Sequence, residues 1–327
     1  MGNFKGEIMR YTRREFGKMA LSAVPAAGLL PAFGGTLVAA PAKVNSTIRG
    51  VDLGMNVPYN FSDMGMSGDD ILARCVTLEC GNVELRSQPV ELFLSAPVVP
   101  PAPARGTTAT PEQTAARQKA REDLRKWRTS VDLGRVKPFR QKWEDTGVMI
   151  QIVKFDAVDS LSDDEVDYSF NLAKACGAHV LSCELALPLA KRLAPFAEKH
   201  KMMVGFHGHN LATPAMFEEA LGYGPYVGAN IDLGHFLAGN NISPVPFIKE
   251  HHDRVTHIHV KDRKLNNGPN VPFGQGDTPI VEALHMLRDN KWKIPAIIEF
   301  EYPIPQGSDR MTELAKSMDY CRKALES

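Results

Sequence analysis

The 327-residue chain predicts an α/β fold, a single-domain (β/α)8 TIM barrel. Two observations carry this. After about residue 46, eight short apolar runs alternate with amphipathic helical segments, the order of parallel βα units rather than of a sandwich. Several of those runs also end in titratable or metal-competent side chains, as strand ends do where a parallel barrel builds a site.

The strands are expected at Ile48 to Met55, Asn82 to Arg86, Val148 to Phe155, His179 to Cys183, Met203 to Phe206, Tyr226 to Ile231, Val255 to Val260 and Ala296 to Phe300. The helices between them include Ser162 to Cys176, Leu187 to His200, Pro214 to Leu221, Pro244 to His251 and Pro279 to Asp289. Ser162 with Glu165 reads as a capping box, and Gly177 marks the end of that helix. From Ala96 to about Thr114 the rhythm breaks into a Pro-rich extended insertion that follows the second strand. It reads as a loose loop on the active-site face, with a substrate lid or an oligomer contact as alternatives. The charged segment Glu112 to Trp127 after it reads as a solvated helix.

Composition limits the function classes. With 43% hydrophobic and 23% charged residues the chain can bury a full core, and its net charge of zero lacks the basic footprint of a nucleic-acid binder. Cys75, Cys80, Cys176, Cys183 and Cys321 have no zinc-ribbon spacing and are odd in number, so they read as small core residues rather than a disulfide framework. Residues 1–40 read as a leader outside the fold. Thr12-Arg13-Arg14-Glu15-Phe16-Gly17-Lys18 before a weakly apolar Gly/Pro-containing stretch resembles a twin-arginine export signal. A membrane helix is the poorer reading, given Pro25, Gly28, Pro31, Gly34 and Gly35. The resemblance implies passage through the export machinery to a periplasmic or other extracytoplasmic location, with no lasting membrane insertion.

The chemistry concentrates at the strand ends. Alternation puts His257, His259 and Lys261 on one face of strand seven. Strand four ends at Glu184, strand five at His207 and His209, strand six at Asp232 followed by His235, and strand eight at Glu299 and Glu301. Two or three carboxylates with imidazole suit a hard divalent ion, Mn²⁺, Co²⁺ or Mg²⁺, with Zn²⁺ possible. The general-base candidates are Glu299, Glu301, His209 and His235. Glu84, Arg86 and Lys154 are placed near the rim of strands two and three. Lys154 is either a site lysine with a lowered pKa or a surface lysine paired with Asp156. His251, His252 and His285 read as solvated.

Asp232-x-x-His235, His257-x-His259-x-Lys261-Asp262 and Ile298-Glu299 resemble the xylose isomerase-like TIM-barrel family of sugar isomerases and epimerases, over about residues 46 to 325. The resemblance implies one divalent ion held by Glu, Asp, His and Glu from separate strands. Asp232, His259 and Glu299 take three of those places, Glu301 competes with Glu299, and His235 takes the place of a substrate-contacting histidine. The first glutamate departs from the sugar epimerases, because strand five reads His207-Gly-His209-Asn. Inosose-dehydratase-like members carry that ligand on strand four, which selects Glu184, with His207 as the fallback. His207, His257, Lys261, Glu84 and Arg86 are the substrate-binding candidates. Gln275 joins them from the loop Pro272 to Pro279, which resembles one after strand seven in the family; there Asp277 or Thr278 is expected to cap the next helix.

The implied activity is isomerisation or epimerisation of a neutral sugar or keto-sugar through an enediolate. A lyase or hydratase acting on an oxidised sugar or glycoside is the nearest alternative. A non-catalytic exported carbohydrate-binding protein is the alternative from another class. The sequence leaves open whether barrels pair into a homo-oligomer.

Overall fold

The computed structural model describes residues 43–327 apart from 102 and 104–106, so the leader reading falls outside the described residues. Eight parallel strands close into a barrel: β1 Val51–Val57, β2 Asn82–Arg86, β3 Met149–Lys154, β4 Val180–Glu184, β5 Met203–His207, β6 Val227–Asp232, β7 Val255–Val260 and β8 Ala296–Ile298. Each strand pairs with its neighbours in chain order, and β8 returns to β1. A two-residue strand, Thr47–Ile48, adds an antiparallel partner to β1.

The helices are α1 Gly68–Thr77, α2 Ser87–Phe93, α3 Pro111–Arg128, α4 Lys137–Thr146, α5 Asp163–Cys176, α6 Leu187–His200, α7 Pro214–Leu221, α8 Leu233–Asn240, α9 Val245–Glu250, α10 Ile280–Asp289 and α11 Arg310–Glu326. Ser162 and Glu165 form the expected reciprocal cap on α5, which Gly177 ends at φ +83°. A second capping box, Thr110 with Gln113, starts α3. No residue of α3 is buried, yet Arg128 reaches inward to Glu91 at 2.8 Å and Glu165 at 3.2 Å, both buried. The Pro-rich insertion does not leave β2 directly; α2 intervenes. All five cysteines are free and buried. Among the described residues no helix is long and apolar enough to cross a membrane.

The main core lies between strands and helices. A small separate apolar cluster of Ile152, Val180 and Ile297, with Met203 against it, closes the barrel interior from below. Alternation then decides what stands above it: Lys154, Ser182 and Glu299 lie two residues further on the same faces. Two of the strand pairings contain a register shift, at Val83/Glu84 and at Ala229/Asn230. Such bulges re-aim side chains, and here Glu84 and Asn230 both point to one residue, His259. Gly205 leaves room beside them, since a Cβ there would stand 2.3 Å from Thr256 Oγ1 and 3.1 Å from His257 Cε1.

Candidate metal centre and active site

His207 ends β5, Asp232 ends β6, His259 lies on β7 and Glu299 follows β8. One nitrogen or carboxylate oxygen from each falls within 4.8 Å of the others, and all four residues are buried. His207 Nε2 is 3.6 Å from Asp232 Oδ2 and 3.8 Å from Glu299 Oε2, while His259 Nδ1 is 3.4 Å from Glu299 Oε1 and 3.9 Å from Asp232 Oδ2. Two ligands on a tetrahedral ion with bonds of ~2.1 Å stand roughly 3.4 Å apart.

His207 Nε2 and His259 Nδ1 are buried without a hydrogen-bond partner, and Asp232 Oδ2 and Glu299 Oε2 face them with Lys261 Nζ as their cation. Leaving two buried imidazole nitrogens unsatisfied is costly, and a divalent cation would satisfy both while sharing the two carboxylates with Lys261. The other atom of each group is tied down. Asp232 Oδ1 accepts the His235 N–H at 2.7 Å as the cap of α8. Asn56 donates to Glu299 Oε1 at 2.9 Å. His259 Nε2 meets Glu84 Oε2 at 2.5 Å, and His207 Nδ1 meets Glu184 Oε2 at 3.2 Å. Carboxylates behind imidazoles fix the ring and aim its other nitrogen, as they do around bound metals.

Glu184, the expected fourth ligand, therefore stands outside the four-atom group. Its side chain is 45% exposed, and Oε1 pairs with Lys154 Nζ at 2.8 Å. His207, the fallback, completes the group with Asp232, His259 and Glu299, while Glu184 forms another with His207 and His209. The reason is Lys154: it is buried and holds Glu184 to its side of the barrel. Burial alone would lower the Lys154 pKa, but in the ion-free chain Glu84, Glu184 and Glu299 outweigh it and raise it. Its expected alternative partner, Asp156, pairs with Arg86 instead.

Lys261 is the electrostatic centre. Its buried Nζ stands 2.6 Å from Glu301 Oε2, 2.7 Å from Glu299 Oε2 and 3.2 Å from Asp232 Oδ2. Burial works against the ammonium, but the three carboxylates more than compensate and raise its pKa. For each of those carboxylates burial favours the neutral acid, and Lys261 reverses that, holding Asp232, Glu299 and Glu301 below their usual range. His235 lies between Lys261 Nζ at 2.9 Å and Arg263 Nη1 at 2.7 Å. Burial, then Lys261, outweigh the pull of Asp232 and Glu301 and bring its pKa to about 4, so the ring is neutral at neutral pH. His209 is the more exposed imidazole, with Nε2 3.4 Å from Glu184 Oε2.

Three expected substrate contacts are placed elsewhere. Glu84 and His257 are both 0% exposed, beneath His259, so they support the centre rather than face a ligand. Gln275 lines a separate cleft of about 360 Å³ against Phe273, Lys316 and Tyr320. Its loop is organised by Asp262, whose carboxylate accepts from the backbone N–H of Gly274, Gly276 and Thr278. Asp277 and Thr278 do not cap α10. Asp277 accepts from Leu265 N and Thr278 Oγ1 from Arg263 N. His252 is exposed as expected and stacks on Trp292 at 4.3 Å. Asn56, Asn230, Tyr59 and Arg263 were not singled out, although the polar Asn230 two residues before Asp232 shares its strand face.

Residues 182–324 match the sequence model of the xylose isomerase-like TIM barrel family. No curated protein matches the chain. A D-psicose 3-epimerase with D-tagatose, from Clostridium cellulolyticum H10, superposes with a TM-score of 0.59 at 12% identity, over 85% of this chain and 100% of that one. A probable 3-DHS dehydratase involved in petrobactin synthesis in Bacillus anthracis gives 0.58 at 14% identity, over 82% and 98%. The IolI protein with a bound zinc atom gives 0.57 at 10% identity, over 84% and 98%. At identities this low the superpositions show the shared barrel fold alone.

Proposed function

We propose that this protein is a divalent-metal-dependent sugar isomerase or epimerase that moves a proton at the carbon beside the carbonyl of a neutral sugar or keto-sugar. The observation that carries the reading is the convergence of four buried ligand atoms on His207, Asp232, His259 and Glu299 from four successive strand ends, the two imidazole nitrogens among them without a hydrogen-bond partner. The epimerase and the zinc-binding protein among the similar folds agree with it.

A divalent ion held by those four residues would polarise the substrate's carbonyl and stabilise the negative charge left when the neighbouring proton departs. The chain's own groups handle the protons. Glu184 with His209 stands against His207, and Glu301 with His235 stands beside Glu299, so proton-accepting groups flank the centre at two of its members. Tyr59 donates to Glu301 Oε1 at 2.6 Å and Lys261 pairs with its other oxygen, which keeps that carboxylate ionised and oriented. Lys154 remains an ammonium and serves to bind a substrate oxygen rather than to take up a proton. Epimerisation needs one group to remove the proton and another to return it, which this pair of flanking carboxylates supplies.

A second reading, dehydration of a keto-sugar, is favoured by His209, whose side chain is 58% exposed within ring contact of His207 and His235 and, 3.4 Å from Glu184, placed to relay a proton to a departing hydroxyl. The dehydratase among the similar folds fits it. The motif Thr12 to Lys18 supports action after export by the twin-arginine route, where free sugars rather than sugar phosphates are met.

The deciding experiment is elemental analysis of the exported protein beside Asp232→Ala and His259→Ala, followed by incubation with ketoses in D₂O. One Mn, Co, Mg or Zn per chain, lost in both variants, with deuterium entering a recovered epimer, supports isomerisation. Loss of water in the product transfers the case to dehydration. No bound ion after reconstitution refutes both.

A further inference from the structure

Beside the candidate centre lies a cleft of about 560 Å³, lined by Tyr59, Asn270, Phe300, Glu301, Tyr302 and Arg310 among others. That volume is within the ~300–1,000 Å³ of small-molecule sites, yet His207, Asp232, His259 and Glu299 do not line it. Its connection to them is Glu301, whose Oε2 is 2.6 Å from Lys261 Nζ, itself 2.7 Å from Glu299 Oε2. A sugar ring reacting at the centre therefore has a second, separate space next to it. The polar groups of that space are placed for hydroxyls. Asn270 donates through Nδ2 to Glu301 Oε2 at 3.3 Å, while its Oδ1 is buried without a partner. Arg310 spends one Nη–H on Asn60 O at 3.1 Å and lies 5.0 Å over the Phe300 ring, with the rest of its fork bordering the cleft. The Asn270 amide, the Arg310 guanidinium and the Glu301 carboxylate, all lining one cavity, match the donors and acceptors of a sugar ring.

We infer that the substrate is a glycoside, with the reacting keto-sugar at the His207/Asp232/His259/Glu299 centre and a second sugar ring in the cleft held by Asn270 and Arg310. This rests on the carbohydrate reading of the centre. The test is calorimetric titration of the Mn²⁺-loaded protein with lactulose, isomaltulose and turanose against D-fructose, the ketose all three contain. At least one disaccharide should bind about tenfold tighter than D-fructose, the worth of one or two added hydrogen bonds. Asn270→Ala and Arg310→Ala should each remove most of that advantage and leave D-fructose binding unchanged. Equal affinities for monosaccharide and disaccharides, or an advantage that survives in both variants, overturns the assignment of the cleft alone. A protein that takes up Mn²⁺ and binds none of the four sugars overturns the carbohydrate reading and this inference with it.

Discussion

Replacing Glu84 by Gln should weaken divalent-ion binding although Glu84 lies outside the ligand group. Glu84 and His259 are both 0% exposed, and Oε2 stands 2.5 Å from Nε2. The carboxylate accepts the Nε2 proton and so leaves the Nδ1 lone pair directed at the other ligand atoms. A glutamine of the same shape loses the charge and can turn its NH₂ to Nε2, which moves the imidazole proton to Nδ1, where it blocks the ion. Removing such a partner typically costs about 10- to 100-fold in metal affinity, or roughly 1.4 to 2.8 kcal/mol. Mn²⁺ and Zn²⁺ titration of the ion-free variant at neutral pH, with circular dichroism to confirm folding, reads the change. An affinity within about twofold of wild type, with His259→Ala losing the ion entirely, refutes the role given to Glu84; the ~10-fold lower bound sets that threshold.

Burial alone would lower the His259 pKa, but Glu299 and Glu84 outweigh it and push it up to about 10. Ion binding at neutral pH should therefore release one proton from His259, seen as a dependence of the binding heat on buffer ionisation; no such dependence contradicts it. For the ion-free protein the folded value lies above the unfolded ~6.5, so the contribution of His259 to stability is full below about pH 6.5 and is lost as the pH rises through about 10. Denaturant midpoints across that range should fall with pH, and His259→Ala should flatten the fall. Lys261→Met leaves three carboxylates without their buried cation and should cost the ion-free protein about 3–5 kcal/mol, a loss that a divalent ion largely restores. Thermal melts with and without Mn²⁺ measure this. Arg128→Ala takes the guanidinium from buried Glu91, leaving it Tyr168 Oη, and leaves Glu165 to Arg125 and Ser162; it should cost about 3 kcal/mol by urea unfolding without changing ion affinity. Arg13→Lys with Arg14→Lys should hold the protein in the cytoplasm on fractionation, and normal export of that variant counts against the twin-arginine reading.

Most strands were legible to within a residue; the first was not, because a turn at Arg49-Gly50 starts β1 at Val51 rather than Ile48, and the last stops at Ile298 rather than Phe300. β7 runs Val255–Val260 as read, and β4, β5 and β6 each extend one residue beyond the expected end, to Glu184, His207 and Asp232. Those extra residues are the site residues, polar groups that a hydrophobic pattern places outside a strand but a barrel mouth keeps within it. Asp232, His259 and Glu299 were likewise legible, because each is a polar group ending an apolar run. The choice between Glu184 and His207 was not. These two are register partners on adjacent strands, and neither pattern nor spacing tells which one turns to the centre. In the structure His207 turns to the other three candidates, and Glu184 pairs with buried Lys154 from a third strand.

Alternation along each strand is a local consequence of backbone geometry, so the sequence alone determined the barrel, the order of its strands and the face on which each candidate lies. Depth within the barrel was decided by the tertiary structure, since it follows from how strands are staggered against one another. The shifts at Val83/Glu84 and Ala229/Asn230 set Glu84 and Asn230 behind His259, turning an expected substrate contact into the support of a ligand. Stagger is a relation between segments distant in the chain, and no single segment encodes it.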